Sequence, residues 1–342
     1  MKTFHHVDVE AQAQRISDVI GDKIPVEMGS GRALRFFAYM NGVADAIEDI
    51  DPDVMQVHNR SDIVSFLSKE FPQKPLIAYM HNQPWFVGKR IDESIPNVSK
   101  FVFVSHYLRD LWAKEYPGCD ESSTVIHNSV DVDRWNPNVA ETIECRAMRE
   151  RFGLVEGKTV LFVGRTIHQK GISVLVDAMS DVQSRVPGAK LLIAGAPFHA
   201  VRREDKFLRK LKKRAAKLGD TIQFTGFVPH DETPFLYGAS DLLVAPSLWD
   251  EPFGKVFTEA MASGIPVVST RRGAIPEVVK DGETGVLVDR PQDPQTLADA
   301  MVALLSDDDL RCKMGSAARD RAVGSFSRKM RLERTQQLYR GM

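Results

Sequence analysis

The sequence predicts an α/β protein built on parallel sheets, and three observations carry that prediction. Short apolar runs bounded by turn residues alternate with helical stripes along most of the chain. The length, 342 residues, is enough for two domains of ordinary size. The stretch 241–273, DLLVAPSLWDEPFGKVFTEAMASGIPVVSTRRG, reads as strand, loop, helix, strand. Within it Leu242, Leu243, Val244 and Ala245 form an apolar run between Asp241 and Pro246, as a strand buried on both faces requires. Phe257, Ala260 and Met261 fall on one side of a helix opened by Gly254. Gly264 suits the position after that helix, and Pro266 stops it before the next strand.

Composition excludes several classes. Apolar residues make up 43% and charged residues 27%, the balance of a globular protein, and a net charge of −1 gives no global pull toward nucleic acid. The three cysteines, Cys119, Cys145 and Cys312, are widely spaced and odd in number, which suggests neither a disulfide framework nor a metal site and fits a reducing compartment. The first ten residues lack the apolar core of a signal peptide, and no apolar run spans a bilayer. A cytoplasmic protein is expected, with peripheral contact to a membrane face as an option.

The first half is expected to form one domain, 1–155. Residues 7–20 read as a weak helix and 23–28 as a short strand, followed by a turn at Gly29 to Arg32. Apolar residues at 36, 37, 40, 43, 44, 47 and 50 then make a helical stripe that Pro52 ends. Strands are expected at 54–57, 76–80, 101–104 and 124–127, with helices at 63–69 and from His106, where Ser105 is the cap. Two of these strands run into polar pairs, His58-Asn59-Arg60 and His81-Asn82. A histidine at a strand end is often structural; two such ends side by side at the carboxyl edge of a parallel sheet favour a functional reading.

The second half, 156–325, repeats the alternation. The strand 159–163 leads into Gly164-Arg165 and then Lys170-Gly171 before a helix. A guanidinium that can bind two oxygens, with an ammonium nearby, makes a clamp for a diphosphate; the alternative is two solvated loop cations. Further strands are expected at 190–194 and 222–224. The helix 204–218 has Phe207, Leu208, Leu211, Ala215 and Leu218 on one side and Arg209, Lys210, Lys212, Lys213 and Lys217 on the other, a face for anionic lipid or simply a solvated one. In the 241–273 stretch, the N–H groups near Gly254, Lys255 and Val256 lie where an open sheet binds anions. Glu251 precedes that helix and Glu259 lies on it, eight positions later. Carboxylates accept from sugar hydroxyls rather than bind phosphate, so the combination suggests a sugar nucleotide; a helix-terminus charge and a solvated Glu are the alternative.

These residues carry a resemblance. Glu251-Pro-Phe-Gly to Glu259-Ala-Met-Ala, followed by Gly264-Ile-Pro-Val-Val, resembles the donor site of the retaining glycosyltransferases of family 4, which have the GT-B fold. The resemblance implies two Rossmann-like domains facing each other across a cleft, with the segment 326–342 a final helix crossing back to the first. Gly164-Arg165 to Lys170-Gly171 resembles the family's diphosphate motif, and Arg271 to Glu277 its Gly-Gly-x-Pro-Glu loop, with Ala274 in place of the second Gly. Asn128 to Asp131 is similar to the segment that leads out of the first domain, with Ser129 in place of Gly.

The family's roles are expected as follows. Glu251, Arg165, Lys170 and His81 are the catalytic candidates, with His81 set against the donor sugar. Gly164, Val228, Phe253, Gly254, Lys255, Val256 and Glu259 bind the donor, Val228 bordering the base through its backbone and Glu259 holding the ribose. His58, Asn59, Arg60 and Asn82 belong to the acceptor side. One departure is evident: the family opens with a strand and a Gly-rich loop, and here only Gly29 and Gly31 are available, so the first domain reads as shortened at its N-terminus.

The expected activity is metal-independent transfer of a hexose from a nucleoside-diphosphate sugar, with uridine diphosphate the expected carrier. No cofactor beyond that co-substrate is implied. The acceptor would be a glycan or lipid-linked glycan, in lipopolysaccharide, capsule or exopolysaccharide synthesis. The triplets Asp51-Pro-Asp53 and Asp131-Val-Asp133 are set aside as metal ligands, the first being a helix stop and the second the domain exit. The rival readings are a non-catalytic subunit that binds a sugar nucleotide or glycan, and a sugar-nucleotide epimerase.

Overall fold

A computed structural model describes residues 30–87, 91–197 and 205–342, with the backbone alone for 30–38. The expected helix at 7–20 and strand at 23–28 lie outside the described residues, and of the turn expected at 29–32 all but Gly29 belongs instead to a helix that begins at Ser30. The chain divides into two compact units: the first holds the described residues up to Val104 together with Leu108–Val125, the second Ser105–Tyr107 and Ile126–Gly341.

In the first unit four parallel strands lie in sequential order, β1 (Met55–His58), β2 (Leu76–Met80), β3 (Lys100–Phe103) and β4 (Ser123–Val125). Every residue of β2 is buried, which a central strand with both faces covered demands. Helix α1 (Ser30–Ile50) buries Met40 and Ala44 from its apolar stripe, and α2 (Ser61–Glu70) buries Val64 and Leu67. Ile50, the last member of the α1 stripe, is exposed, because Asp51 turns the chain away with a positive φ of 49°. Helix α3 (His106–Glu115) inserts Leu108 and Trp112, and the Trp112 indole N–H donates to the carbonyl of Asn82 at 2.9 Å.

The second unit holds a six-stranded parallel sheet in the order β10-β9-β8-β5-β6-β7. The strands are β5 (Thr159–Val163), β6 (Lys190–Ala194), β7 (Ile222–Gly226), β8 (Leu242–Ala245), β9 (Val267–Thr270) and β10 (Gly285–Val288). Counted within the unit this is the doubly wound order 3-2-1-4-5-6, and the order reverses between β5 and β8. Asp241 fixes that junction: its N–H donates to the Thr159 carbonyl, and its carboxylate accepts the Thr159 N–H, each at 2.9 Å. The core gathers on the sheet faces from α5 (Ile172–Arg185), α6 (Lys206–Ala215) and α9 (Pro294–Leu305), with Leu175, Met179, Leu211, Leu297 and Met301 among its members.

The structure draws one boundary differently. The sequence divides at residue 155, whereas the segment 126–155 packs with the second unit. The reason is α4 (Ile143–Phe152): Cys145 donates its S–H to the Phe235 carbonyl, and Arg149 donates to the Gly238 carbonyl, both in helix α7 (Thr233–Gly238). Helix α7 itself is an element the sequence reading did not assign; six residues from Thr233, with Pro234 in the first turn, show too little periodicity to register.

Loop spacing at the reversal point depends on glycine. Gly171, at φ 69°, lies so close to the second loop that a Cβ there would sit 1.8 Å from the Pro246 carbonyl oxygen. Gly171→Ala therefore adds main-chain overlap to left-handed strain. It is expected to destabilise the protein by ~2–4 kcal/mol, read as a lower urea midpoint with an unchanged m-value.

Candidate functional site

The crevice outside β5 and β8 collects most of the predicted second-unit residues. The first wall is the loop after β5, with Gly164 and the exposed Arg165, then a 3-10 turn at His168–Lys170. The second wall is the loop after β8, from Pro246 to Gly254. Lys170 reaches across: its ammonium donates to Glu251 Oε1 at 2.5 Å and lies 5.3 Å from the Trp249 ring centroid. Ser247 Oγ donates to the same carboxylate oxygen at 3.1 Å. Glu251 is only 6% exposed, so its charge is held by Lys170 and Ser247 rather than by bulk water.

The backbone under Glu251 is fixed from behind. Gly273, at φ 56°, approaches so closely that a Cβ would lie 2.4 Å from the Glu251 carbonyl oxygen, and the Ala274 N–H donates to that carbonyl at 2.8 Å. Thr270 Oγ1 donates to the Ser247 carbonyl at 2.7 Å, pinning the start of the same loop to β9.

Helix α8 (Lys255–Ala262) follows, with Gly254 at its start in a left-handed conformation, φ 86°. A side chain at 254 would overlap the Phe257 ring, 2.4 Å from the Cβ position. The first N–H groups of α8, at Lys255 and Val256, have no partner within the helix by construction, and they follow Glu251 closely in the chain. Glu259, one turn further in, is 8% exposed and accepts the Tyr237 hydroxyl at 2.8 Å. Burial pushes the Glu259 carboxyl above its ordinary value, and the Tyr237 bond with the Lys255 and Arg134 charges offsets this only in part. Burial and the Glu259 charge likewise push the Tyr237 phenol well up, so it stays protonated and donates.

One expected donor residue turns its side chain inward. The Phe253 ring is 2% exposed and packs against His127 and Phe326, with centroids 5.9 Å from each, so it serves the core of the unit and leaves only its main chain to a ligand. Val228 lies in the turn after β7, half-buried, beside the exposed Phe227. The Asp131 carboxylate of the second Asp-x-Asp triplet caps its own turn, accepting the N–H groups of Asp133 and Arg134, while Asp51 of the first pairs with Lys74.

In the first unit the two His-Asn strand ends come together. His58 Nδ1 and His81 Nε2 are 3.0 Å apart, and both rings stack on Tyr79 with centroids at 4.9 Å. Asn59 holds a left-handed conformation, φ 55°, and its side-chain oxygen accepts the N–H groups of His81 and Asn82 at 3.2 and 3.1 Å. Asn59 thus shapes the loop that carries His81. Arg60 is spent on Asp62 through two bonds, at 2.8 and 2.7 Å. All four residues expected on the acceptor side lie at the surface, His58 and Arg60 exposed and Asn59 and Asn82 half-buried.

Sequence reasoning gave no role to Tyr237, Ser247 or Gly273. Ser247 and Gly273 lay inside or next to the motif that was read; their signal is a hydroxyl four residues before Glu251 and a glycine flanked by basic and apolar residues. Tyr237 had no local signal, since its partner is 22 residues away.

Comparison with known proteins bears on the family and the fold. Residues 127–321 match the family description Glycosyl transferases group 1, and residues 4–134 match Glycosyltransferase Family 4. The chain is 30% identical over 296 residues to the YtcC protein of Bacillus subtilis, covering 84% of this chain and 72% of that one. It is 30% identical over 339 residues to the D-inositol 3-phosphate glycosyltransferase of Corynebacterium aurimucosum, covering 92% and 78%. Over 226 residues it is 34% identical to the GDP-mannose-dependent alpha-(1-6)-phosphatidylinositol monomannoside mannosyltransferase of Mycobacterium tuberculosis, covering 64% and 55%. Among solved structures, HepE of Anabaena in complex with UDP aligns with a TM-score of 0.76 at 21% identity, covering 89% of this chain and 82% of that one, a likeness of fold.

The raised Glu259 carboxyl has a stability signature. A carboxyl whose folded-state pKa lies above its unfolded value keeps its proton longer in the folded chain. Stability therefore falls as pH rises from the ordinary carboxyl range through the raised folded value. Glu259→Gln is expected to melt above the native chain at pH 8, with the gap closing as pH is lowered toward 4, in melting curves across that range.

Proposed function

From the premise that this chain belongs to the glycosyl transferases group 1 family, a glycosyltransferase of GT-B fold using nucleoside-diphosphate sugars, we propose a specific reaction. It transfers a hexose to a hydroxyl of a glycan or lipid-linked glycan, with retention of anomeric configuration and without a metal ion. The observation that carries the reading is the Lys170–Glu251 pair at the point where strand order reverses, beside the start of α8 and within one helix of buried Glu259.

The roles follow from the contacts. The ammonium of Lys170 has three donors, so it can keep Glu251 and still bind a phosphate oxygen. Arg165 and the first N–H groups of α8 take the other diphosphate oxygens, and together they stabilise the leaving group as charge develops on it. Glu251 has its second oxygen for a sugar hydroxyl, while Glu259, steadied by Tyr237, accepts from the ribose. Val228 and its turn border the base. On the first unit the proposed contributor is His81, with its loop shaped by Asn59. No protein nucleophile is required: the acceptor oxygen forms the new bond to the anomeric carbon on the face the diphosphate leaves, and the leaving phosphate oxygen takes the acceptor proton.

The expected carrier is uridine diphosphate, with guanosine diphosphate as the comparison, since one relative is named for GDP-mannose. Synthesis of a bacterial surface polysaccharide is the proposed setting. Peripheral contact with the inner membrane face is part of the proposal. Helix α6 supports it, burying Leu208, Leu211 and Ala215 while Lys206, Arg209, Lys210, Lys213 and Arg214 stay exposed. Among the described residues no helix is long and apolar enough to cross a membrane.

The test is a panel of uridine and guanosine diphosphate sugars, scored for release of the free diphosphate with and without acceptor glycans. One donor is expected to release diphosphate, and Glu251→Ala and Lys170→Ala to slow release ~100- to 1000-fold. Binding without release across donors and acceptors would instead support a non-catalytic subunit. Tyr237→Phe leaves Glu259 short of a buried donor worth about 1–3 kcal/mol. It is expected to weaken nucleoside diphosphate binding, measured by calorimetry, with little effect on the turnover rate at saturating donor.

A further inference from the structure

A second cluster of chemistry-bearing side chains lies outside the donor crevice. It joins His106, the first residue of α3; His127, just past β4; and Glu277, in the one-turn helix Ile275–Val278. All three belong to the second unit. One ligand-type atom from each lies within 4.8 Å of the others, and among the described residues this is the grouping of that kind. The proposed reaction uses none of them.

Two of the three are already held in place. Glu277 accepts the N–H of Tyr107 on Oε1 at 2.6 Å and the N–H of His106 on Oε2 at 2.8 Å. A carboxylate offers about four lone-pair positions, so two bonds fix its orientation and leave it able to ligate. The His127 ring is wedged between Phe253 and Phe326, with centroids 5.9 and 5.6 Å away, and its Nε2 stands 3.4 Å from Glu277 Oε2. With zinc–nitrogen and zinc–oxygen bonds near 2 Å, the edge of a zinc tetrahedron is about 3.3 Å, so this separation matches two neighbouring ligands. The third ligand is the adjustable one. His106 is exposed, and its ring centroid is 6.0 Å from that of His127.

We propose that His106, His127 and Glu277 bind a divalent transition-metal ion of the zinc class, with the remaining coordination position left to water. Two imidazoles and one carboxylate from three separate segments are the donor set of a borderline ion, not of magnesium or calcium, which take oxygen ligands. The bonds that already orient Glu277 act as outer-shell support. Arg321, which donates to the carbonyls of Glu277 and Val278, places a cation close by and opposes the metal, so moderate affinity is expected. The ion would tie the short segment 105–107 to the longer stretch that begins at Ile126, both parts of the second unit.

The experiment is a zinc titration of the untagged full chain against a chromophoric chelator, paired with the absorption spectrum of the cobalt(II) adduct. One equivalent of zinc is expected to bind in the micromolar range. The cobalt spectrum should show bands of a nitrogen- and oxygen-ligated ion without the thiolate charge-transfer band that the exposed Cys312 would give. His106→Ala is the decisive variant, because it keeps the N–H that Glu277 accepts and removes only an exposed ring. It should melt like the native chain without metal and bind zinc at least about tenfold more weakly. Cys312→Ser and His81→Ala should bind as the native chain does. Native-like zinc binding by His106→Ala, or no binding by the native chain in the micromolar range, overturns the proposal. Loss of binding in Cys312→Ser or His81→Ala overturns it as well, by moving the ion elsewhere.

Discussion

The approach of Gly171 to the Pro246 carbonyl sets the distance between the two loops that leave β5 and β8. Parallel strands whose connections run to opposite sides of a sheet leave a crevice at their carboxyl ends. How wide that crevice is depends on what lies between the loops. Here main chain meets main chain, with no side chain interposed. Lys170, the residue before that glycine, is thereby carried to within reach of Glu251, five residues past Pro246. Gly273 repeats the device from the other side, backing Glu251 with β9's exit loop. The charged pair is therefore a product of backbone packing, and the side chains have little freedom to lose when they form it.

That packing also sorts the two carboxylates by environment. Glu251 has an ammonium and a hydroxyl for company, while Glu259 has a single neutral phenol and more distant cations. Both are nearly closed off from solvent, so each charge costs folding energy that neighbouring groups only partly return. A pair of such groups one helix apart, in a crevice with unpaired helix N–H groups, has the character of a binding site rather than of a structural core. In the first unit, by contrast, the histidines lean on one another and on Tyr79.

Much of this was legible in the sequence because it is local. The runs 76–80, 159–163, 190–194 and 242–245 are strands with the expected bounds, since uninterrupted apolar residues between turn formers have few other folded uses. Gly254 starts its helix and Gly264 follows it with φ 75°, as their positions around an amphipathic stretch require. What was not legible is whatever depends on a partner distant in the chain. Phe253 sits inside the motif yet turns into the core, because His127 and Phe326 offer it an aromatic pocket. Asn59 and Arg60 look like ligands by type, but each is engaged nearby, one with the backbone at 81–82 and one with Asp62. The boundary at 155 missed because a helix with few apolar residues gives no sign of which unit its sulfhydryl and guanidinium will bind.

The loop behind Glu251 carries one further consequence. Ala274 occupies a place where glycine was expected, and it does so at φ −82° and ψ 2°, a conformation any L-residue reaches. Its N–H still supports the Glu251 carbonyl. A glycine there would add conformations to the unfolded chain and nothing to the folded one, a difference on the order of 0.4–1 kcal/mol. Only Gly273, at φ 56°, needs the missing side chain. The sequence thus confines its backbone freedom to the single residue that must bend the wrong way, and the neighbouring methyl group makes the segment stiffer by shrinking the disordered ensemble rather than by adding any contact.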